Sequence, residues 1–73
     1  MKLSELKEDE FAKITEIKEC NAGKRRLNDL GFCIDEPVNC VFKGAFGLIG
    51  AYRVKDTAIA LRKSDSDNIE VEI

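Results

Sequence analysis

Apolar positions fall along this chain in short clusters, most of them spaced for strands. The simplest pattern closes the sequence: Ile69, Val71 and Ile73 alternate with Glu70 and Glu72, the period of a half-buried strand. Val38, Cys40 and Phe42 alternate in the same way with Asn39, Val41 and Lys43, which predicts a strand over 38–43 after the turn chemistry of Asp35-Glu36-Pro37. Two more strands, 51–55 and 57–62, are predicted on either side of a tight turn at Lys55-Asp56, with Ile59 and Leu61 sharing a face. Over 11–18 two periods compete, because Phe11, Ile14 and Ile17 have helical spacing while Ile14-Thr15-Glu16-Ile17 is rich in β-formers. A strand with a bulge reconciles them, since one extra residue lets Ile14 and Ile17 both face inward. Leu3 and Leu6, set among charges, predict a turn of helix or an extended arm that lays two leucines on the core.

The one clear helix signal is Lys24-Arg25-Arg26-Leu27-Asn28-Asp29-Leu30-Gly31-Phe32. Leu27 and Leu30 share a face, and Arg25 and Asp29 are four apart and able to pair. Gly31 can turn left-handed and close off the last carbonyls, which places Phe32 against Leu27. Asn21 or Gly23 begins this two-turn clip, which is too short to stand alone in water and must be pinned onto something larger. Ser64-Asp65-Ser66-Asp67-Asn68 predicts a polar turn or a single helical turn with Ser64 as its N-cap. Gly44-Ala45-Phe46-Gly47-Leu48-Ile49-Gly50, with a glycine at every third position, predicts a mobile connection with unusually apolar side chains. About five short strands and one helix inserted after the first predict a mainly β fold. The expected architecture is a small SH3-like barrel forming one domain over 1–73, in which closure or strong twist removes exposed edges.

Composition narrows the function. With 73 residues and 44% hydrophobic content the chain builds one small core. Charged residues make up 36% of it, with the signs interspersed and a net charge of −2, which argues against nucleic acid as the main partner. The longest apolar run, 45–52, is far below the roughly 20 residues needed to span a bilayer. No apolar leader follows Met1-Lys2. A cytosolic protein is expected, with Cys20, Cys33 and Cys40 reduced, because an odd count at these spacings is unlike a disulfide framework.

Arg26-Leu27-Asn28-Asp29-Leu30-Gly31-Phe32, a turn, the strand 38–42, Ala60-Leu61-Arg62, and a closing Ser64-Asp65 through Ile69-Glu70-Val71 together resemble the FeoA family. This is the small cytosolic accessory protein of bacterial ferrous iron uptake, and a similar domain ends the DtxR-type metal-dependent repressors. The likeness runs from about Phe11 onward. It implies an SH3-like barrel with an inserted helix, no enzymatic activity, and contact with a FeoB transporter through that transporter's cytosolic GTP-binding domain. Any membrane association then comes only through the transporter. The chain departs from the family's pattern in two places. Ile34-Asp35 stands where Pro-Gly is common, and the segment 44–49 replaces an Ala-Pro-x-Gly-Asp-Pro loop, making it more apolar.

Candidate chemistry is sparse. The chain has no His, and no Ser or Cys has a recognisable nucleophile setting, so no catalytic residues are assigned. Cys20, Cys33 and Cys40 include no Cys-x-x-Cys pair, so neither a zinc site nor any other metal or cofactor site is assigned, and Cys40 is expected in the core. Asp65-x-Asp67-Asn68 lacks the glycine and downstream glutamate of a calcium loop. Lys24, Arg25 and Arg26 are either a solvated face paired with Asp29 and Glu36 or an electrostatic docking patch. Phe46, Leu48 and Ile49 either fold over the barrel's open end or form the apolar centre of an interface. These six residues are the expected partner-binding set, and weak self-association through the apolar loop stays open. The alternative function is a metal-sensing regulatory domain like the tail of an iron-dependent repressor, although no helix-turn-helix is present to bind DNA.

Overall fold

The backbone follows the strand-rich pattern of the sequence and is described over residues 1–73 by a computed structural model. A single turn of 3₁₀-helix at Leu3–Glu5 leads into β1 (Phe11–Ile17) and α1 (Asn21–Leu30). There follow β2 (Pro37–Lys43), a second 3₁₀ turn at Ala45–Gly47, β3 (Ile49–Val54), β4 (Thr57–Arg62), α2 (Lys63–Ser66) and β5 (Ile69–Glu72). All five strands join one antiparallel sheet in the order β4-β3-β2-β1-β5, which leaves β4 and β5 as its edges. The sheet is not closed by a β4–β5 ladder, yet it wraps a single core of Leu3, Leu6, Ala12, Ile14, Ile17, Leu27, Phe32, Val38, Cys40, Tyr52, Val54, Leu61, Ile69 and Val71.

The competing periods of β1 resolve as a bulge. Its register against β5 shifts between Ile14 and Glu16, and both Ile14 and Ile17 are buried. Leu3 and Leu6 reach the core from the N-terminal arm, whose first residues also cover the outer edge of β5 through a 2.7 Å bond from the Val71 N–H to the Met1 carbonyl.

The helix α1 ends as its sequence indicates. Gly31 adopts φ 110°, its N–H bonds the Asn28 carbonyl at 3.0 Å, and the Phe32 N–H bonds the Leu27 carbonyl at 2.9 Å. This is the Schellman pattern, and it tucks Phe32 into the core beside Leu27. The start is earlier than a two-turn clip requires: Asn21 is the first helical residue and Cys20 the cap, without a side-chain bond. Leu30 stays 40% exposed, because the chain reverses at Gly31 and Phe32 takes the inward place that Leu30 would have filled.

Three other expectations are corrected. Phe42 is exposed, not inward, because a second register shift between Cys40 and Phe42 breaks the alternation of β2. Lys43 is turned inward instead, and its ammonium donates to the Ser4 carbonyl at 2.5 Å and the Tyr52 hydroxyl at 3.3 Å. Ser64 lies inside α2, whose cap is Arg62, again without a side-chain bond. Ile73 is exposed beyond the end of β5.

Candidate functional site

The apolar connection after β2 is a closed turn held by backbone bonds. The Gly44 N–H donates to the Ile49 carbonyl at 2.7 Å, Gly47 to Gly44 at 3.1 Å, and Leu48 to Ala45 at 3.2 Å. The expectation of a mobile segment therefore gives way to a fixed one. Its third glycine serves packing rather than flexibility: Gly50 is a buried β3 residue, and a Cβ there would lie 2.6 Å from the Tyr52 hydroxyl. At the tip, Phe46 sits in the left-handed region at φ 59°, ψ 15°, which non-glycine residues seldom adopt, and its side chain is 95% exposed. Leu48 and Ile49 follow, both more than 40% exposed.

The hairpin of β3 and β4 decides what stands next to them. Lys55 and Asp56 both have positive φ, the geometry of a two-residue hairpin turn, and from that turn the register runs back to pair Ile49 with Arg62. The Leu48 carbonyl accepts the Lys63 N–H at 2.8 Å, so the loop is tied to the start of α2. An open groove results, lined by Leu48, Ile49, Arg62, Lys63 and Ser64. Arg62, Lys63 and Ser64 were not in the partner-binding set expected from the sequence. Counting outward from the Lys55-Asp56 turn would have placed Arg62 opposite Ile49.

From the other side α1 brings its basic cluster. The Arg26 guanidinium meets Asp65 at 3.3 Å, and Arg62 meets the other oxygen of the same carboxylate at 3.7 Å. Asp65 thereby joins the helix to the rim of the groove, in place of the pairings with Asp29 and Glu36 that the sequence suggested for the basic cluster. Lys63 is 3.0 Å from Asp67, which also accepts a hydrogen bond from the Ser4 hydroxyl. Those two contacts, the Ser4 bond foremost, hold the Asp67 carboxyl below its ordinary range. Lys24 and Arg25 are exposed and make no ion pair. Arg26, Arg62 and Lys63 meet Asp65 and Asp67 here, and the exposed Lys24 and Arg25 precede Arg26 on α1.

Metal or nucleophilic chemistry finds little to build on. Cys20 is exposed at the start of α1, Cys33 is half-buried, and Cys40 lies in the core, where burial pushes its thiol up and keeps it protonated. No three His, Cys, Asp or Glu side chains converge on a common point.

The architecture defines a small SH3-like domain that exposes an apolar turn beside basic side chains. The chain belongs to the FeoA domain family, which matches residues 1–73. Among solved structures, FeoA of Stenotrophomonas maltophilia complexed with zinc, itself called a prokaryotic SH3 domain protein, is 36% identical with a TM-score of 0.85. That match covers 99% of this chain and 89% of the other. The solution structure of iron(II) transport protein A from Clostridium thermocellum is 30% identical with a TM-score of 0.95; the match covers 100% of this chain but only 45% of that one. ScaR with bound Zn²⁺ shares the fold alone, at 18% identity and a TM-score of 0.85 over 99% of this chain and 36% of that one. No curated protein sequence matches.

Proposed function

We propose that this chain is a non-enzymatic accessory module of ferrous iron uptake that works on the cytosolic side of the membrane. Its partner is the GTP-binding domain of a FeoB-like transporter. Family membership supports the iron-uptake context. The observation that carries the docking reading is Phe46: a wholly exposed aromatic on a left-handed backbone position, next to a groove with an apolar floor and a basic rim. Exposed aromatics beside apolar pockets are the usual anchors of interfaces, and surrounding charge sets encounter rate and register. Phe46, Leu48 and Ile49 supply the anchor in this reading, and Lys24, Arg25 and Arg26 supply the steering charge. No helix here is long and apolar enough to cross a membrane, so membrane association would come through the transporter.

The test is calorimetric titration of the cytosolic domain of the transporter from the same organism. Leu48→Asp should weaken binding at least about tenfold by placing a charge in the apolar contact, and Arg25→Glu should chiefly slow association and reduce its salt dependence. Both positions are exposed, so the fold should survive. Wild-type affinity in both variants would remove this surface from the interface.

A further inference from the structure

The sheet treats its two edges differently. The outer side of β5 is covered by the N-terminal arm, through the Val71 to Met1 bond and the bridge between Lys2 and Glu70. The outer side of β4 is bare over Ala58 and Ala60. Because the pair closing a two-residue hairpin exchanges both its hydrogen bonds, Val54↔Thr57, Tyr52↔Ile59 and Gly50↔Leu61 are the bonded pairs of the β3–β4 ladder. The N–H and C=O groups of Ala58, Ala60 and Arg62 therefore point away from the sheet. None of the turn, cap or inter-element backbone bonds uses the N–H of any of the three, and of their carbonyls the one at Arg62 accepts the Ser66 hydroxyl at 3.4 Å. Nothing on the strand blunts this edge: β4 pairs with β3 through six residues without a register shift, has no proline, and carries no charge before Arg62. Natural edges are commonly protected by a bulge, a proline or an inward lysine.

We infer that β4 pairs antiparallel with β4 of a second copy of this chain, about a twofold axis through Ile59, to give a continuous ten-stranded sheet. Several registers would match the outward groups, and two observations select this one. Ile59 is the hydrophobic residue that packs against the core while remaining only partly buried. On the axis it faces Ile59 of the second copy as a non-bonded pair, the arrangement with the closer side-chain approach. The same register sets Arg62, whose side chain is 73% exposed, opposite Asp56 of the second copy, and does so again at the other end. Ala58 then faces Ala60 of the second copy, and both are small and exposed, so the two backbones meet without obstruction. The contact is two-sided and self-complementary, which limits it to a closed dimer and prevents growth into a fibre.

The interface is small, so the dissociation constant should be on the order of 100 µM. Sedimentation equilibrium from about 10 µM to about 1 mM should show the mean mass rising from 8.2 kDa toward twice that value. In heteronuclear NMR the Ala58 and Ala60 amides should move most on dilution. Ala60→Pro removes an N–H that the monomer does not use and should hold the mass at 8.2 kDa at every concentration. Ala58→Lys, on the exposed face, should do the same and serves if the proline variant does not fold. Any of three results overturns the proposal. One is a wild-type mass fixed at 8.2 kDa throughout. Another is a dimer that survives Ala58→Lys with its dilution shifts centred on Phe46, Leu48 and Ile49. The third is movement of the Ala58 and Ala60 amides only when an unrelated extended peptide is added.

Discussion

Replacing Phe46 separates what the loop does for the fold from what it does for a partner. Phe46 has φ 59° and is 95% exposed, so its side chain contributes backbone strain and almost no packing. A non-glycine residue in the left-handed region costs roughly 1–2 kcal/mol. Phe46→Gly removes that cost but returns about 0.5–1 kcal/mol through the greater freedom of glycine in the unfolded chain. The net is a stabilisation between about 0 and 1.5 kcal/mol, which on a domain of this size raises Tm by at most about 12 °C. Phe46→Ala keeps the strain and should change stability by less than about 0.5 kcal/mol. Binding should move the other way. If a partner buries this ring, its loss removes about 1.5–3 kcal/mol, or roughly 10- to 150-fold in Kd, and the two variants should weaken binding alike. Urea denaturation and calorimetry against the transporter's cytosolic domain read the two quantities separately. A Phe46→Gly protein destabilised by more than about 1 kcal/mol would show that the ring packs on the fold, and unchanged affinity would remove it from the interface.

Two further outcomes follow from the contacts above. Gly31→Ala forces a Cβ into φ 110° and to 3.4 Å from Val54 Cγ1, and should cost about 1–2 kcal/mol, measured as an earlier urea midpoint with unchanged slope; an unmoved midpoint would refute the cap assignment. In acid, Glu70 is held below its ordinary 4.5 by its hydrogen bond to Lys18, and Asp67 below 3.8 by Ser4 and then Lys63. Lowered folded-state values mean that this stabilisation is complete above those ordinary values and is lost as pH falls through the folded ones. The stability profile should therefore fall below about pH 4.5, and Glu70→Gln with Asp67→Asn should flatten that limb.

What the sequence made legible was local, and what it concealed depended on distant partners. Gly31 followed by Phe32 specifies a helix end within a few residues, and the backbone forms it. The clash of periods at Ile14 and Ile17 also lies within one strand, so a bulge could be deduced there. In β2 the alternation of Val38, Cys40 and Phe42 is perfect, so no local sign betrays the bulge after Cys40; only pairing with β3 shows that Phe42 faces out and Lys43 in. The partner of Arg26 is 39 positions away, which no helical spacing can reveal. Gly50 resembled one more hinge in a glycine repeat, and the space demanded by the Tyr52 hydroxyl explains it instead. Within the candidate site, the apolar tip and basic cluster were both visible as residue types. The carboxylate that joins them and the groove between them required the fold.

The closed form of the loop changes the expected energetics of docking. Three glycines in seven residues invite the idea of a flap that moulds itself to a partner, and such a flap would lose conformational entropy at every contact it ordered. Here the bonds from Gly44, Gly47 and Leu48 and the tie from Lys63 fix the backbone before any encounter, so that ordering cost falls on folding. Asp65 does the same for the charges, holding Arg26 and Arg62 on one carboxylate, while Lys24 and Arg25 make no ion pair. If the proposed docking surface is used, its fixed shape should favour a partner whose own surface already matches it.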